Sequence, residues 1–108
     1  MAQCDPVRVA QIMRILIDNA LTHTPPGTQI VVTAGRDDGR IRLAVRDDAA
    51  GIDPQTAQRI FEPFYTADDT QGSGLGLAIA SELAERMQGA LTVRTDAGVT
   101  EFTLEIPA

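Results

Sequence analysis

Arg40-Ile41-Arg42-Leu43-Ala44-Val45-Arg46-Asp47 alternates charge with hydrocarbon at a period of two. Ile41, Leu43 and Val45 fall on one side of an extended chain and Arg40, Arg42 and Arg46 on the other, so the stretch reads as a strand with one core face and one wet face. Just upstream, Ile30 to Thr33 is strand-like and Arg36-Asp37-Asp38-Gly39 supplies turn chemistry, which makes the two a hairpin. A second hairpin closes the chain. Ala90 to Asp96 and Val99 to Ile106 flank the turn Asp96-Ala97-Gly98, with Phe102, Leu104 and Ile106 alternating against Thr103 and Glu105.

Helical periodicity fills the rest. Asp5-Pro6 is a capping residue followed by proline at the first helical position, and Val9, Ile12, Met13, Leu16, Ala20 and Leu21 then recur at three and four residue spacing. Thr24-Pro25-Pro26-Gly27 ends that helix. Asp53-Pro54 repeats the start signal for a short helix to about Ile60, and Phe61 to Ser73 reads as irregular. A third helix follows Gly74, with Leu75, Ile79, Leu83 and Met87 on one stripe and Gly89 placed for its C-terminal cap. Runs of adjacent strands separated by helices favour an α+β two-layer sandwich over a doubly wound parallel sheet.

At 108 residues one domain and one core are expected. No segment approaches the roughly 18 uninterrupted apolar residues of a membrane span, and the amino terminus does not resemble a signal peptide. The single cysteine, Cys4, has no partner for an internal disulfide, which agrees with a reducing, cytoplasmic setting. A net charge of -6 spread along the chain argues against nonspecific attraction to nucleic acid or an anionic membrane. All nine basic residues are arginine, so a phosphate-binding lysine does not exist in this chain.

Four segments carry candidate chemistry. Gly72-Ser73-Gly74-Leu75-Gly76-Leu77 stands where an irregular stretch passes into a helix, whose free N–H groups and positive dipole end suit a phosphate. It is neither a P-loop nor a dinucleotide fingerprint, and a glycine-rich turn before a helix can be purely structural. Asp18-Asn19-Ala20 sets an asparagine, a poor helix-interior residue whose carboxamide oxygen is a hard ligand for magnesium, near the end of the first helix. An exposed polar pair at a helix end reads equally well there. Asp47-Asp48-Ala49-Ala50-Gly51-Ile52 offers a strand-end carboxylate to an exocyclic amine, or is a plain aspartate-rich turn. Phe61-Glu62-Pro63-Phe64-Tyr65 gathers most of the few aromatics, either as core or as a docking surface for a partner.

In this order and spacing the four segments resemble the catalytic ATP-binding domain of sensor histidine kinases, within the Bergerat-fold ATPase superfamily. Asp5 to Pro25 resembles the asparagine box, Val45 to Ile52 the first glycine box, Phe61 to Phe64 the phenylalanine box and Gly72 to Leu77 the second glycine box. The resemblance implies one domain over residues 1–108, a mixed, mostly antiparallel sheet covered on one face by about three helices, with the strand expected before Asp5 cut short. It implies ATP and Mg2+ as cofactors. Asn19 would hold magnesium, Asp47 would accept the adenine amino group, and His23, Gly51, Ile52, Gly72, Ser73, Gly74, Leu75, Gly76 and Leu77 would complete the nucleotide site. Tyr65 to Gln71 would form a lid, and Phe61 and Phe64 would face a partner.

No catalytic residue is assigned within the chain. His23 is its only histidine and lies in the asparagine box, where a nucleotide contact and a plain surface histidine read equally well, whereas the family's phosphoacceptor sits on a separate helical domain. The implied partners are therefore a phosphoacceptor and dimerisation domain, in the same or another chain, and a downstream response regulator. No nucleic acid is implied, and contact with a membrane arises only through other parts of a kinase. Three departures stand out. Ile15 replaces a polar residue four positions before Asn19, Thr22 replaces a basic phosphate contact, and Ala49 replaces the first glycine of its box. Together they predict weaker nucleotide affinity and poor hydrolysis, and they keep open a noncatalytic nucleotide-binding and docking module as the competing reading. A protein-serine kinase of the anti-sigma type is a third, which the Phe61-Glu62-Pro63-Phe64 box disfavours.

Overall fold

The computed structural model describes residues 6–23, 27–48, 59, 61–62, 76–96 and 98–107. Helix α1 (Pro6–His23) is followed by β1 (Ile30–Asp37), β2 (Arg40–Asp47), helix α2 (Gly76–Arg86), β3 (Ala90–Asp96) and β4 (Val99–Pro107). The strands form one sheet in the order β1-β2-β4-β3, antiparallel at every pairing. Both helices pack on one face of it, α1 over β2 and α2 over β3 and β4, and they touch each other. This is the α+β two-layer arrangement expected from the sequence, with two of the helices among the described residues. The short helix expected to Ile60 lies outside those residues except at Arg59, as does Phe61 to Ser73 beyond Glu62.

Alternation sets the register. In β4, Thr100, Phe102, Leu104 and Ile106 are buried while their neighbours are half-exposed, and they stand opposite Asp47, Val45, Leu43 and Ile41 of β2. A slip of one residue would turn that whole set to water. Ile12, Leu16 and Ala20 of α1 and Ala80, Leu83 and Ala84 of α2 meet this face in a single apolar cluster. Each fully buried leucine or isoleucine there contributes about 1.5–3 kcal/mol.

Several boundaries differ from the sequence reading. Leu21 is 62% exposed and Ile79 41% exposed, so neither belongs to the buried stripe. The buried stripe keeps Leu83, and Met87 just past the end of α2, and adds Ala80 and Ala84 in place of Ile79. β1 extends to Asp37, leaving only Asp38 and Gly39 as the turn. Their φ values of 51° and 75° are those of the two-residue turn whose twist matches an antiparallel hairpin. β1 is also exposed along nearly its whole length, Val32 included at 51%, since the helices cover the other three strands.

The end of α2 corrects the expected cap. Gln88, not Gly89, takes the left-handed conformation, at φ 62°. The Gln88 N–H donates to the Glu85 carbonyl and the Gly89 N–H to the Ala84 carbonyl, both at 2.9 Å, which satisfies the carbonyls a helix end leaves open. Gly89 is required for another reason, its approach to β4. A Cβ there would collide with the carbonyl oxygen of Glu105 and lie 2.7 Å from Cγ2 of Ile106.

On the wet face of the sheet, Arg42 Nε donates to Glu105 Oε2 at 2.7 Å and Arg40 Nε to Oε1 at 2.9 Å. The Arg42 hydrogen bond, above all, holds the Glu105 carboxyl below its ordinary range against a smaller opposing effect of desolvation, and Arg40 adds to it. The same bond raises the Arg42 guanidinium pKa further.

Candidate functional site

Asn19 lies in the last turns of α1, half-buried beside the fully packed Leu16 and Ala20. Asparagine there costs about 0.6 kcal/mol of helix propensity relative to alanine. Ile15 stands one turn earlier on the same face, since residues four apart are neighbours on a helix. It packs against the apolar cluster, and its Cγ2 would lie 3.5 Å from a Cβ placed on Gly76, the first residue of α2. The structure thus brings the first turn of α2 up to the Ile15–Asn19 side of α1.

Gly76 is exposed and has no left-handed backbone, and 3.5 Å is ordinary van der Waals contact, so no contact among the described residues demands glycine there. Leu77 turns its side chain partly into the core, which leaves its backbone as what it can offer a ligand. Gly72, Ser73, Gly74 and Leu75 lie outside the described residues.

Asp47 ends β2 on the helix-facing side and is buried, 8% exposed. It stands opposite Thr100 of β4, itself 5% exposed, and opposite Ile30 of β1. Among the described residues no buried side-chain nitrogen or oxygen lacks a hydrogen-bond partner, so the pair is accommodated as polar groups inside an apolar face. Asp48, the next residue, is exposed. The two adjacent aspartates thus stand in different environments, one inside the helix-facing side of the sheet and one in water.

Thr100 is the residue sequence reasoning passed over. Its signal was the alternation of β4: Thr100 continues the buried series Phe102, Leu104, Ile106 at a position where a polar side chain needs a reason. Gly51, Ile52, Ala49 and Phe64 lie outside the described residues. His23 closes α1, and the readings of its side chain and that of Thr22 fall outside them too. Phe61 is half-buried, its ring edge-on to Phe102 with centroids 6.1 Å apart and an interplanar angle of 76°.

Among the described residues no group of three or more His, Cys, Asp or Glu side chains could hold a metal ion. Magnesium does not need such a cage, because it keeps several waters and takes one or two protein ligands together with substrate phosphates. A single half-buried carboxamide at Asn19 fits that donor set.

A family model described as the histidine kinase-, DNA gyrase B- and HSP90-like ATPase matches residues 4–108. The chain belongs to this ATPase family. The sensor protein SrrB of Staphylococcus aureus is 34% identical over 109 aligned residues, which cover 95% of this chain and 19% of SrrB. Among solved structures, a mycobacterial sensor histidine kinase, MprB, superposes with a TM-score of 0.86 at 31% identity, over 96% of this chain and 72% of that one. The nucleotide-free catalytic domain of the histidine kinase ThkA gives 0.86 at 28% identity, over 96% and 68%. ShkA, solved at full length in complex with AMPPNP, gives 0.82 at 39% identity, over 93% of this chain and 21% of that one.

The resemblance read from the four boxes is therefore borne out, and the chain is an ATPase domain of the histidine-kinase type. It spans 19% of the length of the curated relative it matches. No helix among the described residues is long and apolar enough to cross a membrane.

Proposed function

We propose that this ATPase domain binds Mg-ATP between α1, the end of β2 and the start of α2, and presents the γ-phosphoryl group to a histidine on a separate acceptor domain or protein. The observation that carries the reading is the burial of Asp47 beside Thr100 on the face where α1 and α2 meet. A buried carboxylate accepting from an exocyclic amine recognises adenine, and Thr100 stands where a hydroxyl could share that edge. On the phosphate side, Asn19 would hold magnesium, which when bound neutralises and orients the phosphate oxygens. The backbone N–H groups of Gly76 and Leu77 at the start of α2, with those of Gly72 to Leu75 before them in the sequence, would cradle the phosphates. The acceptor imidazole would then attack γ-phosphorus in line, and ADP would leave with the electron pair of the bridging bond. Catalysis by this domain is positioning and electrostatics.

Phe61 and Phe64 are the residues we assign to docking of the acceptor domain, and a response regulator would receive the phosphoryl group downstream. His23 is assigned to the nucleotide site with Gly51 and Ile52. We take residues 1–108 as the catalytic domain alone, with the acceptor domain outside it.

One observation favours a second reading. Ile15 gives the α1 seam a hydrocarbon side chain packed against the core, and hydrocarbon cannot take a proton from water. Hydrolysis is disfavoured on that ground, and a noncatalytic nucleotide-binding module shares the same geometry. Incubation with Mg-ATP and the cognate histidine-bearing domain separates the two: acid-labile phosphate on the partner supports the kinase, binding without transfer supports the module, and acid-stable phosphate on serine points to the anti-sigma type. Asn19→Ala is expected to abolish magnesium-dependent binding in a folded protein, and Asp47→Ala to abolish the preference for adenine over guanine nucleotides. Unchanged calorimetric affinities in both variants would overturn the site.

A further inference from the structure

Ile15 occupies the seam between the two helices that the nucleotide reading needs held at a fixed separation. Its Cγ2 is the atom a methyl group at Gly76 would meet, at 3.5 Å, and Asn19 stands one turn further along the same face of α1. Its β-branched side chain is stiff about χ1, which suits it to act as a spacer rather than a filler. Asp47 lies elsewhere, at the end of β2 beside Thr100.

We propose that Ile15 is a positioning residue: its γ-methyl sets how far the first turn of α2 stands from Asn19, and so how well a triphosphate fits between the two. The proposal rests on the nucleotide reading of that site and deepens it, because it assigns the phosphate side and the adenine side to separately adjustable parts. Changes at Ile15 should act on phosphate-dependent affinity and leave recognition of the nucleoside alone.

The test is a titration of the chain with AMPPNP plus magnesium and, separately, with adenosine, on wild type, Ile15→Val, Ile15→Leu and Ile15→Ala. Valine keeps the methyl that faces Gly76 and should bind AMPPNP as wild type does. Leucine keeps the volume but not that methyl, and it guards against a poorly folded alanine variant. Leucine and alanine should each weaken AMPPNP on the order of ten-fold, the loss of roughly one well-placed contact, with adenosine unchanged. Equal losses for both ligands, or no loss for either, would overturn the spacer role. A wild type that binds neither ligand would overturn the nucleotide reading itself.

Discussion

At the far end of α2 a methyl added to Gly89 would strike the Glu105 carbonyl oxygen, whereas at its near end one added to Gly76 would rest against Ile15 at 3.5 Å. Neither glycine has positive φ, so backbone freedom explains neither. Gly89 is there because the chain leaving α2 presses onto β4, and the sheet has nowhere to go. Gly76 sits where alanine would meet only ordinary contact among the described residues and would favour the helix, and the proposed nucleotide site supplies close approach of a ligand as its reason. The far end of α2 answers to the fold, and the near end to the nucleotide site we propose.

The largest effect that could break this contrast is at Gly89. Gly89→Ala is expected to cost roughly 3 kcal/mol, because the obstruction is backbone and cannot swing aside. On a domain of this size that lowers Tm by on the order of 15 °C, readable by calorimetry. Gly76→Ala should do the opposite to the fold, leaving stability unchanged or raising it by up to about 1 kcal/mol, while weakening Mg-AMPPNP about ten-fold. A stable variant with full affinity would show that Gly76 has no ligand to make room for.

Smaller changes sharpen the picture of the far end. Gln88→Gly relieves the left-handed residue of the helix cap and should stabilise by roughly 0.5–1 kcal/mol in denaturant unfolding. Smallest is Glu105, whose carbonyl faces Gly89 and whose carboxylate is gripped by Arg42 and Arg40. Its folded pKa lies below the ordinary 4.5, so its contribution is present above that value and is lost as pH falls through the lower folded value. Glu105→Gln should therefore lower Tm slightly at pH 7 and flatten the curve below about pH 4.5, where the two proteins converge.

The same two ends show why part of the molecule could be read from the sequence and part could not. Period-two alternation in β2 and β4 is a local property, and it placed both hairpins and their core faces. The face of a helix near its ends depends on what lies across from it. Leu21 and Ile79 kept the spacing of a buried stripe, yet they project beyond the seam that α1 and α2 share. Gly89 was recognised as helix-ending, but its reason is a contact with Glu105, sixteen residues later in sequence and adjacent only once the sheet has formed. The candidate site divides likewise. Asn19, Asp47 and Gly76 stood out by residue type at a telling position. Thr100 gains meaning only from its register opposite Asp47, which no stretch of sequence displays.

The measurement that tests the central claim most directly is calorimetric titration of AMPPNP into wild type and Asn19→Ala, each with magnesium and with EDTA. Saturable binding that weakens in EDTA and that loses its magnesium dependence in Asn19→Ala is the predicted result. Equal heats and affinities in all four titrations, or none in wild type with magnesium present, would contradict it.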